Sequence, residues 1–367
     1  RIDMKTLILA GGFGTRLRPL SCTRPKILFP VGNRPILDWT IKHLVECGIK
    51  EIVLAVNYMA DIIMHRYGNS KFGAKILYSK EERPLGTAGP IKKAAPLLGE
   101  EPFLVLNGDI FTDINYKELM EAHLENSSIA TIALVEVPDP SRYGAVLLDG
   151  NRILDFIEKP KASKAPSNLV NAGIYAFTPE IFDYIELNKE GGVSIEKEVF
   201  PKLAEEGKLY GKVFKGLWTD IGKPRDYLYT NRLLLESHFA NNWYGEDVKL
   251  GVDVRIVKPS LLGNRVEVGE KSVIGPYVSV GDSVHIGRGV RSENSIIFEG
   301  ATISDFSSIK SAIIGKNAYI GRWVKIEEGC IVGDHTLIKD NVTLTRDVTV
   351  CPSKEISESI LTSTSLL

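Results

Sequence analysis

The sequence predicts an α/β protein in two parts: a doubly wound, mainly parallel sheet, followed by a parallel β-helix of hexapeptide repeats. From residue 5 to about residue 240, apolar β-branched segments alternate with amphipathic ones. Strands separated by helices form crossovers and therefore a parallel sheet. After about residue 245, aliphatic residues recur every six positions, a spacing typical of a β-helix. We therefore predict a first domain of residues 4–242 and a second of residues 243–367, which ends in a polar tail.

The apolar and amphipathic patterns predict the elements of the first domain in order. Strands are predicted at residues 51–58, 74–80, 103–108 and 129–137. Helices are predicted between them at residues 36–47, 60–67 and 116–125. Later strands at residues 145–148, 153–157, 170–177 and 212–218 extend this sheet or add a small antiparallel piece. A closing helix is predicted at residues 224–238, because Pro224 suits a first helical turn.

The repeats of the second domain fall into three runs of inward-pointing aliphatic residues. Glycine follows each residue of the first run, as expected where a coil turns between flat faces. The spacing predicts about five stacked coils. The three runs are Leu262, Val268, Ile274, Val280 and Ile286; then Ile297, Ile303 and Ile309; then Ile314, Ile320, Ile326, Val332, Ile338 and Leu344.

Composition and charge exclude several classes of function. The chain is 44% hydrophobic and 25% charged, with a formal net charge of −1, so there is no basic excess of the kind that nucleic acid or a membrane surface would select. The four cysteines have no CxxC spacing, which indicates neither a zinc site nor a disulfide framework. No signal peptide or apolar run of membrane-spanning length occurs. We expect a cytoplasmic protein.

A glycine-rich loop near the N-terminus is the strongest functional signal. The apolar run of residues 7–10 leads into Gly11, Gly12 and Gly14, whose missing side chains let a ligand approach the backbone N–H groups. Residues 7–35 contain no acidic residue, so the loop favours a polyanion, such as a triphosphate. The pattern fits neither a P-loop nor the dinucleotide fingerprint. The basic residues of the segment are Arg16, Arg18, Arg24, Lys26 and Arg34.

This segment resembles the signature of the sugar-phosphate nucleotidyltransferases, and four further motifs are similar to that family. The resemblance implies that Arg16 and Lys26 hold the triphosphate and the leaving group. It also implies that the loop backbone binds the nucleotide through Leu9, Ala10, Gly11, Gly12, Gly14 and Thr15.

The first further motif, at residues 84–90, resembles the loop that faces the nucleobase in this family. Members that use pyrimidines carry Gly-Leu-Ala-Gln there, and the glutamine contacts the base. Here the matching residues are Gly86, Thr87, Ala88 and Gly89. This form is similar to the purine-using members, especially the mannose-1-phosphate guanylyltransferases. We also expect Thr87 to cap the helix that follows.

Two motifs resemble the metal aspartates of the family. Asp109 follows a predicted strand, together with Asn107 and Gly108, which the resemblance assigns to nucleotide binding. Ligands of open α/β sheets lie beyond the carboxyl ends of strands, and Mg²⁺ takes one or two carboxylates with phosphate oxygens and water. Asp220, in the motif of residues 218–222, matches the second metal aspartate. We assign Asp113 to a turn.

The fourth motif, residues 156–160, resembles the part of the family that binds the sugar 1-phosphate. The resemblance implies that Glu158 accepts hydrogen bonds from sugar hydroxyls and that Lys159 binds the phosphate. Tyr143, Gly144 and Asn171 are implied as further sugar contacts. Without the resemblance, a Glu-Lys pair would be an ordinary surface pair that contributes little.

Together these resemblances imply transfer of a nucleotidyl group from GTP to mannose 1-phosphate, which gives GDP-mannose and pyrophosphate. In this Mg²⁺-dependent, in-line reaction no protein nucleophile is needed, because the enzyme positions both substrates and neutralises charge.

Two alternatives stay open. One is a transferase that uses UTP or dTTP with a glucose or aminosugar 1-phosphate. It could also have an acetyltransferase β-helix with His285 or His335 as the base, but nothing else in the repeats indicates an acyl-donor site, so we expect both histidines on a solvent-facing side of a coil. The other is a non-catalytic regulatory subunit that binds a nucleotide sugar. The presence of Lys26, Asp109, Lys159 and Asp220 favours an enzyme.

The repeats themselves resemble those of left-handed hexapeptide-repeat proteins, which implies a left-handed β-helix. Open coil ends and flat faces invite pairing with another subunit. The coils also carry the large side chains Tyr277, Tyr319 and Trp323, which suit a packed contact. We expect a homo-oligomer joined through residues 250–350, unless these aromatic residues pack against their own chain.

Overall fold

The computed structural model describes residues 3–187 and 190–366. The chain forms two compact units. The sheet unit contains the chain up to residue 12 and residues 37–219, and the coil unit contains residues 13–36 and 220–367. The glycine-rich loop is therefore divided: Gly11 and Gly12 belong to the sheet unit, and the N-terminal loop, residues 13–36, packs in the coil unit.

The sheet unit is built on one twisted sheet. Its first half is parallel, as predicted: the strand Thr6–Leu9 lies between Glu51–Val56 and Phe103–Asn107, and Glu51–Val56 also pairs with Ala74–Lys80. The strand Leu169–Phe177 runs antiparallel to Phe103–Asn107. In spatial order the strands are Gly144–Asp149, Arg152–Glu158, Leu209–Val213, Ala130–Glu136, Leu169–Phe177, Phe103–Asn107, Thr6–Leu9, Glu51–Val56, Ala74–Lys80 and Ser70–Lys71.

Helices cover the sheet and bury their apolar faces on it. Asn115 caps one of them, because its side chain accepts hydrogen bonds from the N–H groups of Lys117 and Glu118. Large aromatic side chains, including Phe103, Tyr175 and Phe200, fill the core beneath. The α-helices of the chain are Ile36–Glu46, Ala60–Tyr67, Gly89–Lys93, Ala95–Leu98, Tyr116–Asn126, Phe200–Glu205 and Pro224–His238.

Short turns of helix and strand complete the chain. The 3-10 turns are Thr15–Leu17, Leu20–Cys22, Lys26–Leu28, Pro140–Arg142, Ala162–Lys164 and Pro179–Tyr184, and Ile195–Val199 is a π-helical turn. Two short strand pairs are Pro30–Val31 with Arg34–Pro35 and Ile110–Thr112 with Trp218–Asp220.

Most elements begin and end within a few residues of their predicted bounds. The prediction of a strand at residues 212–218 was wrong. The strand runs instead from Leu209–Val213. Gly216 interrupts the extended backbone with a φ of +124°, a conformation that only glycine adopts readily.

The coil unit contains three parallel sheets of short strands, consistent with the predicted left-handed β-helix. Successive coils are in register 16 to 18 residues apart, as in the pairs of Leu262 with Val280, of Val280 with Ile297 and of Thr349 with Ser365. All of the predicted inward residues are buried. The inward positions that the sequence pattern missed include Ser292, which is buried although it is polar, and Val350, which continues the third run.

In the described part of the chain the three sheets have eight, seven and six strands, so the predicted five coils are too few. The extra strands lie at the two ends, where side chains such as Leu250 stay exposed and the repeat pattern is weak. The first sheet contains Trp243–Tyr244, Ser260–Leu262, Val278–Val280, Ser295–Ile297, Ile313–Ile314, Ile331–Val332, Thr349–Val350 and Ser365–Leu366. The second contains Lys249–Leu250, Glu267–Val268, His285–Ile286, Thr302–Ile303, Tyr319–Ile320, Leu337–Ile338 and Glu355–Ile356. The third contains Arg255–Ile256, Val273–Ile274, Arg291–Glu293, Ser308–Lys310, Lys325–Ile326 and Thr343–Leu344.

Candidate active site

The carboxyl ends of the parallel strands bring part of the predicted nucleotide site together in the sheet unit. The N–H of Ala10 donates to the carbonyl of Ala55 at 2.9 Å, and the N–H of Gly108 donates to the carbonyl of Leu9 at 2.9 Å. Leu9, Ala10 and Gly108 therefore lie at one edge of the sheet, and Asp109 follows directly. This is the edge at which ligands of open α/β sheets bind.

Gly11 and Gly12 continue from this edge and differ in their surroundings. A Cβ at Gly11 would lie 3.3 Å from Cβ of Asn57 and 3.6 Å from Oε1 of Glu81, whereas a Cβ at Gly12 would meet no atom within 4 Å. Gly12 thus borders open space, where a ligand has access to the backbone. Burial raises the pKa of the Glu81 carboxyl. Sequence reasoning missed Glu81, although it directly follows the strand Ala74–Lys80.

The coil unit holds the basic residues of the predicted triphosphate site. Gly14 has a φ of +61° and precedes the turn Thr15–Leu17, and its carbonyl accepts a hydrogen bond from the Ser21 hydroxyl at 2.7 Å. A Cβ at Gly14 would lie 3.5 Å from Cβ of Lys26, which begins the turn Lys26–Leu28. The turns therefore bring Gly14, Thr15 and Lys26 into one compact loop.

Arg16 and Asp220 approach each other within the coil unit. A Cβ at Gly222 would lie 3.7 Å from Oδ1 of Asp220 and 3.9 Å from Nη2 of Arg16. The Asp220 carboxylate also accepts a hydrogen bond from the N–H of Gly222 at 3.3 Å. A predicted phosphate ligand and a predicted metal ligand therefore lie around the same glycine, although they are far apart in sequence.

The predicted base loop is held by a later segment of the sheet unit. Ala88 donates its N–H to the carbonyl of Val193 at 2.9 Å, and Val193 donates to the carbonyl of Leu85 at 3.1 Å. Gly86 has a φ of +75°, and a Cβ there would lie 2.4 Å from the Val193 oxygen. The sequence alone did not indicate that residue 193 fixes this loop.

The prediction that Thr87 caps the following helix was wrong. The N-cap of the helix Gly89–Lys93 is Ala88, and no side chain bonds to that helix end. The Thr87 hydroxyl instead accepts a hydrogen bond from the N–H of Ile195 at 2.8 Å and donates to Oε2 of Glu196 at 2.7 Å. A tertiary partner therefore uses the hydroxyl that the local pattern assigned to a cap.

Two predicted ligand residues, Asn107 and Asn171, are linked through a buried tyrosine. Asn171 donates to the Tyr175 hydroxyl at 2.8 Å and accepts from the N–H of Gly173 at 2.8 Å. Asn107 also hydrogen-bonds Tyr175, and burial raises the pKa of Tyr175 well above its usual value. The tyrosine therefore stays protonated and fixes both amides.

The predicted sugar site surrounds the end of the strand Arg152–Glu158. Lys159 has a φ of +44°, and its N–H donates to the carbonyl of Tyr143 at 3.0 Å. The Tyr143 ring packs edge-on against Trp218, with 5.2 Å between centroids. Trp218 in turn donates from Nε1 to the carbonyl of Ala172 at 2.9 Å. These contacts bring Tyr143 and Lys159 into one cluster with the residue that precedes Gly173.

Gly144, predicted to allow close approach of a sugar, has a structural reason of its own. A Cβ at this position would lie 2.4 Å from the Phe156 ring. Packing therefore requires a glycine whether or not a ligand is bound, and the residue carries little information about function.

Glu196 is a site residue that sequence reasoning missed. Its carboxylate accepts hydrogen bonds from the hydroxyls of Thr87 at 2.7 Å and Ser194 at 3.1 Å. The pKa of Glu158 is raised, first by burial and then by the negative charge of Glu196. Glu196 thus joins the predicted base loop to the predicted sugar site. No motif marked it, because its role depends on partners more than 30 residues away.

Two further polar residues have structural partners. The Asp113 carboxylate accepts a hydrogen bond from the N–H of Leu217 at 2.9 Å, so this residue ties two distant chain segments together, which is not the local turn contact that the sequence predicted. Arg24, one of the cations of the N-terminal loop, forms an ion pair with Glu299 in the coil unit. Its charge is therefore partly neutralised by a distant residue, although residues 7–35 themselves contain no acidic residue.

The two histidines of the coils lie at the surface. The side chain of His285 is 57% exposed, and its Nδ1 lies 3.2 Å from Oε2 of Glu267. His335 is also exposed. Exposed positions of this kind are ordinary for histidine and do not indicate an acyl-transfer role.

The described residues contain neither a clustered metal site nor a helix of membrane-spanning length. Residues 3–187 and 190–366 contain no group of three or more His, Cys, Asp or Glu side chains arranged to hold a metal ion. In the same residues, no helix is long and apolar enough to cross a membrane. The carboxylates of Asp109 and of Asp220 are each the kind of oxygen ligand that Mg²⁺ prefers, since this ion takes one or two carboxylates with phosphate oxygens and water.

Comparison with known proteins covers both parts of the chain. Residues 5–237 match the family described as nucleotidyl transferase, and residues 245–366 match the GMPPB C-terminal domain. The chain is 39% identical over 365 residues to a probable mannose-1-phosphate guanylyltransferase 1 of Oryza sativa subsp. japonica, with 98% of each chain covered. It is 40% identical over 361 residues to the mannose-1-phosphate guanylyltransferase catalytic subunit beta of Drosophila melanogaster, with 97% of this chain and 95% of the relative covered.

Solved structures are similar over 63% of the chain. HddC from Yersinia pseudotuberculosis, complexed with GMP-PN, is 30% identical, with a TM-score of 0.54 over 63% of this chain and 99% of its own. A putative glucose-1-phosphate thymidylyltransferase from Bacillus anthracis is 26% identical, with a TM-score of 0.58 over 63% of this chain and 94% of its own.

Proposed function

Because the chain belongs to the nucleotidyl transferase family, we propose that it transfers a guanylyl group from GTP to mannose 1-phosphate. The products are GDP-mannose and pyrophosphate. The observation that carries the proposal is the similarity over nearly the whole chain to proteins named mannose-1-phosphate guanylyltransferases, at 38–40% identity. The two solved structures cover 63% of the chain, whereas the relatives with this name cover 97–98% of it, so the similarity to them includes the coils.

The base loop supports a purine nucleotide. A Cβ at Gly89 would lie 2.3 Å from Cβ of Leu85, so the loop in this conformation has no room for the glutamine that pyrimidine-using members carry there. The backbone of Gly86, Thr87 and Ala88 would then face the base, held by the segment around Val193 and Glu196. We propose that shape and backbone groups, not a glutamine side chain, select the base.

The proposed reaction is a direct displacement at phosphorus. A phosphate oxygen of mannose 1-phosphate forms a bond to the α-phosphorus of GTP, the bond from that phosphorus to the β-phosphate breaks, and pyrophosphate leaves from the opposite side. Such a reaction needs positioning and charge neutralisation instead of a protein nucleophile. Arg16 and Lys26 would bind the triphosphate and the leaving group, and Lys159 would bind the phosphate of the sugar.

The remaining proposed contacts follow the sequence prediction. Glu158 and Asn171 would bind sugar hydroxyls. The Glu158 carboxylate can accept hydrogen bonds from a ligand because it is only partly buried, and it adjoins Lys159. Tyr143 and Gly144 would contact the sugar through their backbone. The nucleotide would be bound by Leu9, Ala10, Gly11, Gly12, Gly14, Thr15, Asn107 and Gly108.

We propose Mg²⁺ as the metal of the reaction, with Asp109 and Asp220 as its protein ligands. The ion would supply positive charge that offsets the phosphate groups. Two carboxylates suit this ion because phosphate oxygens and water complete its coordination. A homo-oligomer joined through the coils and a cytoplasmic location also remain proposals.

One experiment separates this function from its alternatives. The full chain is incubated with Mg²⁺ and every combination of GTP, UTP or dTTP with mannose, glucose or N-acetylglucosamine 1-phosphate, and pyrophosphate release is measured. The proposal expects the highest kcat/KM for GTP with mannose 1-phosphate. A higher value for UTP or dTTP with every sugar would favour another transferase. Tight binding of GDP-mannose without turnover of any pair would favour a regulatory subunit.

A further inference from the structure

The coils interrupt their own pattern where the N-terminal loop packs. At one corner of the coil unit, glycine follows the inward aliphatic residue in several coils, at Gly263, Gly281, Gly315 and Gly333. Phe298 stands at the equivalent position of a coil between them. It is 1% exposed, and its large side chain has no counterpart at the equivalent glycines. Something covers this side chain, and the repeat itself does not require it.

The N-terminal loop covers Phe298. The ring of Phe29 lies edge-on to it, with 6.4 Å between centroids, and the guanidinium carbon of Arg24 lies 4.8 Å from the centre of its ring. Phe29 is itself fully buried and contacts the Tyr227 ring at 5.6 Å. An apolar contact thus anchors the loop to the coils.

Polar contacts surround this apolar one. Arg24 forms an ion pair with Glu299, the residue after Phe298, and the Arg24 side chain is 18% exposed. The Thr23 hydroxyl donates to Oδ2 of Asp334 at 2.7 Å. Asn33, farther along the loop, donates from Nδ2 to the carbonyl of Val280 at 2.7 Å. The loop is therefore held at several points along its length.

Asp334 makes one hydrogen bond that is common to the coils and one that is specific to the N-terminal loop. Asp334 and Asp340 each accept, through Oδ1, a hydrogen bond of 2.8 Å from a main-chain N–H of a neighbouring coil. Asp340 is exposed, whereas Asp334 is 4% exposed and uses its second oxygen for Thr23. The first bond belongs to the β-helix, and the second belongs to the loop.

The anchors lie next to the proposed phosphate ligands in the chain. Arg24 and Lys26 are separated only by Pro25, whose φ of −62° is set by its ring. The other end of the same stretch is tied back by the bond from Ser21 to the carbonyl of Gly14. Displacing Thr23 or Arg24 would therefore displace Lys26 and loosen the turn that contains Arg16.

We infer that this corner of the coils positions the N-terminal loop for triphosphate binding, with Phe298, Glu299 and Asp334 as positioning residues. The inference rests on the proposed function for its assignment of Arg16 and Lys26 to the triphosphate. A loop without anchors has to lose its conformational freedom when GTP binds, which weakens binding. The anchored loop has already lost it, so the β-helix contributes to GTP affinity without contacting GTP.

Two pairs of variants of the full chain test the inference. Thr23→Val removes the donor to Asp334 and keeps the size of the side chain, while Thr23→Ser retains the donor. Glu299→Ala removes the partner of Arg24, while Glu293→Ala removes a coil glutamate that pairs with the exposed Lys310 at 3.2 Å. Steady-state kinetics are measured with GTP and mannose 1-phosphate varied in turn. Hydrogen exchange of the peptide that covers residues 14–28 is measured by mass spectrometry without substrates.

The inference expects Thr23→Val and Glu299→Ala to raise KM for GTP about tenfold, the effect of losing one hydrogen bond to a charged group. KM for the sugar phosphate should stay unchanged, and hydrogen exchange of the loop should become faster. Thr23→Ser and Glu293→Ala should behave like the unchanged protein.

Three results would overturn the inference. One is unchanged loop exchange in both Thr23→Val and Glu299→Ala. Another is a matched loss in Glu293→Ala. The third is tighter GTP binding in Glu299→Ala, which would make Arg24 a phosphate ligand that Glu299 restrains. If the unchanged protein does not turn over GTP, the proposed function fails, and hydrogen exchange still decides whether the coils anchor the loop.

Discussion

The proposed chemistry depends most on two residues, Asp109 and Asp220. We expect Asp109→Asn and Asp220→Asn each to lower kcat/KM by about a hundredfold or more, because losing a metal ligand removes several kcal/mol of charge stabilisation, roughly 3 kcal/mol at least. The melting temperature should change little, because neither carboxylate lies in the buried core. Pyrophosphate release and thermal melts measure the two effects.

Asp113→Asn is the matched control for these two variants. Asp113 lies four residues after Asp109, and its Oδ1 accepts a hydrogen bond from the N–H of Leu217, which an asparagine oxygen can also accept. Activity should therefore stay within a few-fold of the unchanged protein. Full activity of Asp109→Asn or Asp220→Asn, or in excess chelator, would refute the metal assignment.

His123 makes the stability of the sheet unit depend on pH. Its Nδ1 lies 2.9 Å from the Thr131 hydroxyl and its Nε2 lies 2.8 Å from the Thr178 hydroxyl, which itself donates to the carbonyl of Ser128. Both ring nitrogens are thus satisfied in the neutral form. Burial lowers the pKa of His123 from 6.5 to about 4, so the unfolded chain binds a proton at pH values where the folded chain does not.

The sign of the effect follows from this difference. The contribution of neutral His123 to the free energy of unfolding is fully present above pH 6.5, and it is lost as the pH falls from 6.5 to about 4. The loss should approach roughly 3 kcal/mol. Urea unfolding at pH 7.5 and pH 4.5 measures it, and His123→Gln should flatten the dependence while the exposed His65→Gln should not. Equal slopes in all three proteins would assign the pH dependence to other groups.

The base loop, residues 84–90, shows how one element gains its conformation from another. Its own sequence indicates only a turn before a helix. Backbone bonds between Leu85, Ala88 and Val193, together with the bonds of the Thr87 hydroxyl, define its actual path. Residues that hold a loop from more than 100 positions away leave no pattern in a single sequence.

We expect Gly89→Gln not to convert the protein to UTP or dTTP. A Cβ at residue 89 would meet Cβ of Leu85 at 2.3 Å, and overpacking of this kind costs about 1–3 kcal/mol. Gly89→Gln and Gly89→Ala should therefore lower the melting temperature by similar amounts, and both should lose activity with GTP. A Gly89→Gln variant that is stable and prefers UTP would show that the loop adapts and that the glutamine alone selects the base.

At the scale of the whole molecule, the structure reassigns one of the three aromatic residues expected at an oligomer interface. Tyr277 packs on the helix Pro224–His238 of its own chain: its hydroxyl donates to Glu236 at 2.7 Å and its ring centre lies 4.0 Å from the guanidinium carbon of Arg232. Trp323 and Tyr319 stay 61% and 46% exposed. Trp323 also stacks on Phe306 at 4.7 Å between centroids.

If the coils join the subunits through this aromatic surface, Tyr319→Glu combined with Trp323→Glu should reduce the assembly size. Charged side chains would then be buried without partners, which a contact of this kind does not tolerate. Light scattering coupled to gel filtration measures the subunit number. Val252→Lys, at a coil residue that is 71% exposed, serves as the control. An unchanged subunit number in the double variant would exclude this surface, and a monomeric parent protein would refute the expected homo-oligomer.

The sequence by itself determined the regular parts of this protein. The helices Ala60–Tyr67 and Pro224–His238 and the strand Ala74–Lys80 have the predicted bounds, and all of the predicted inward residues of the coils are buried. These features depend on spacing within one segment, at a period of two, 3.6 or six residues, so a local pattern contains them.

Only the tertiary structure decided which segments support the candidate site. Glu196 lies beside Thr87, Phe298 lies under Phe29, and Asp334 accepts from Thr23. Each pair joins residues that are more than 100 positions apart. The energy of such contacts depends on distance and burial after folding, not on neighbours in the chain, because a hydrogen bond or a ring contact forms only within a few ångströms. A single sequence therefore predicted the elements and the motif residues, and the folded chain revealed what holds them in position.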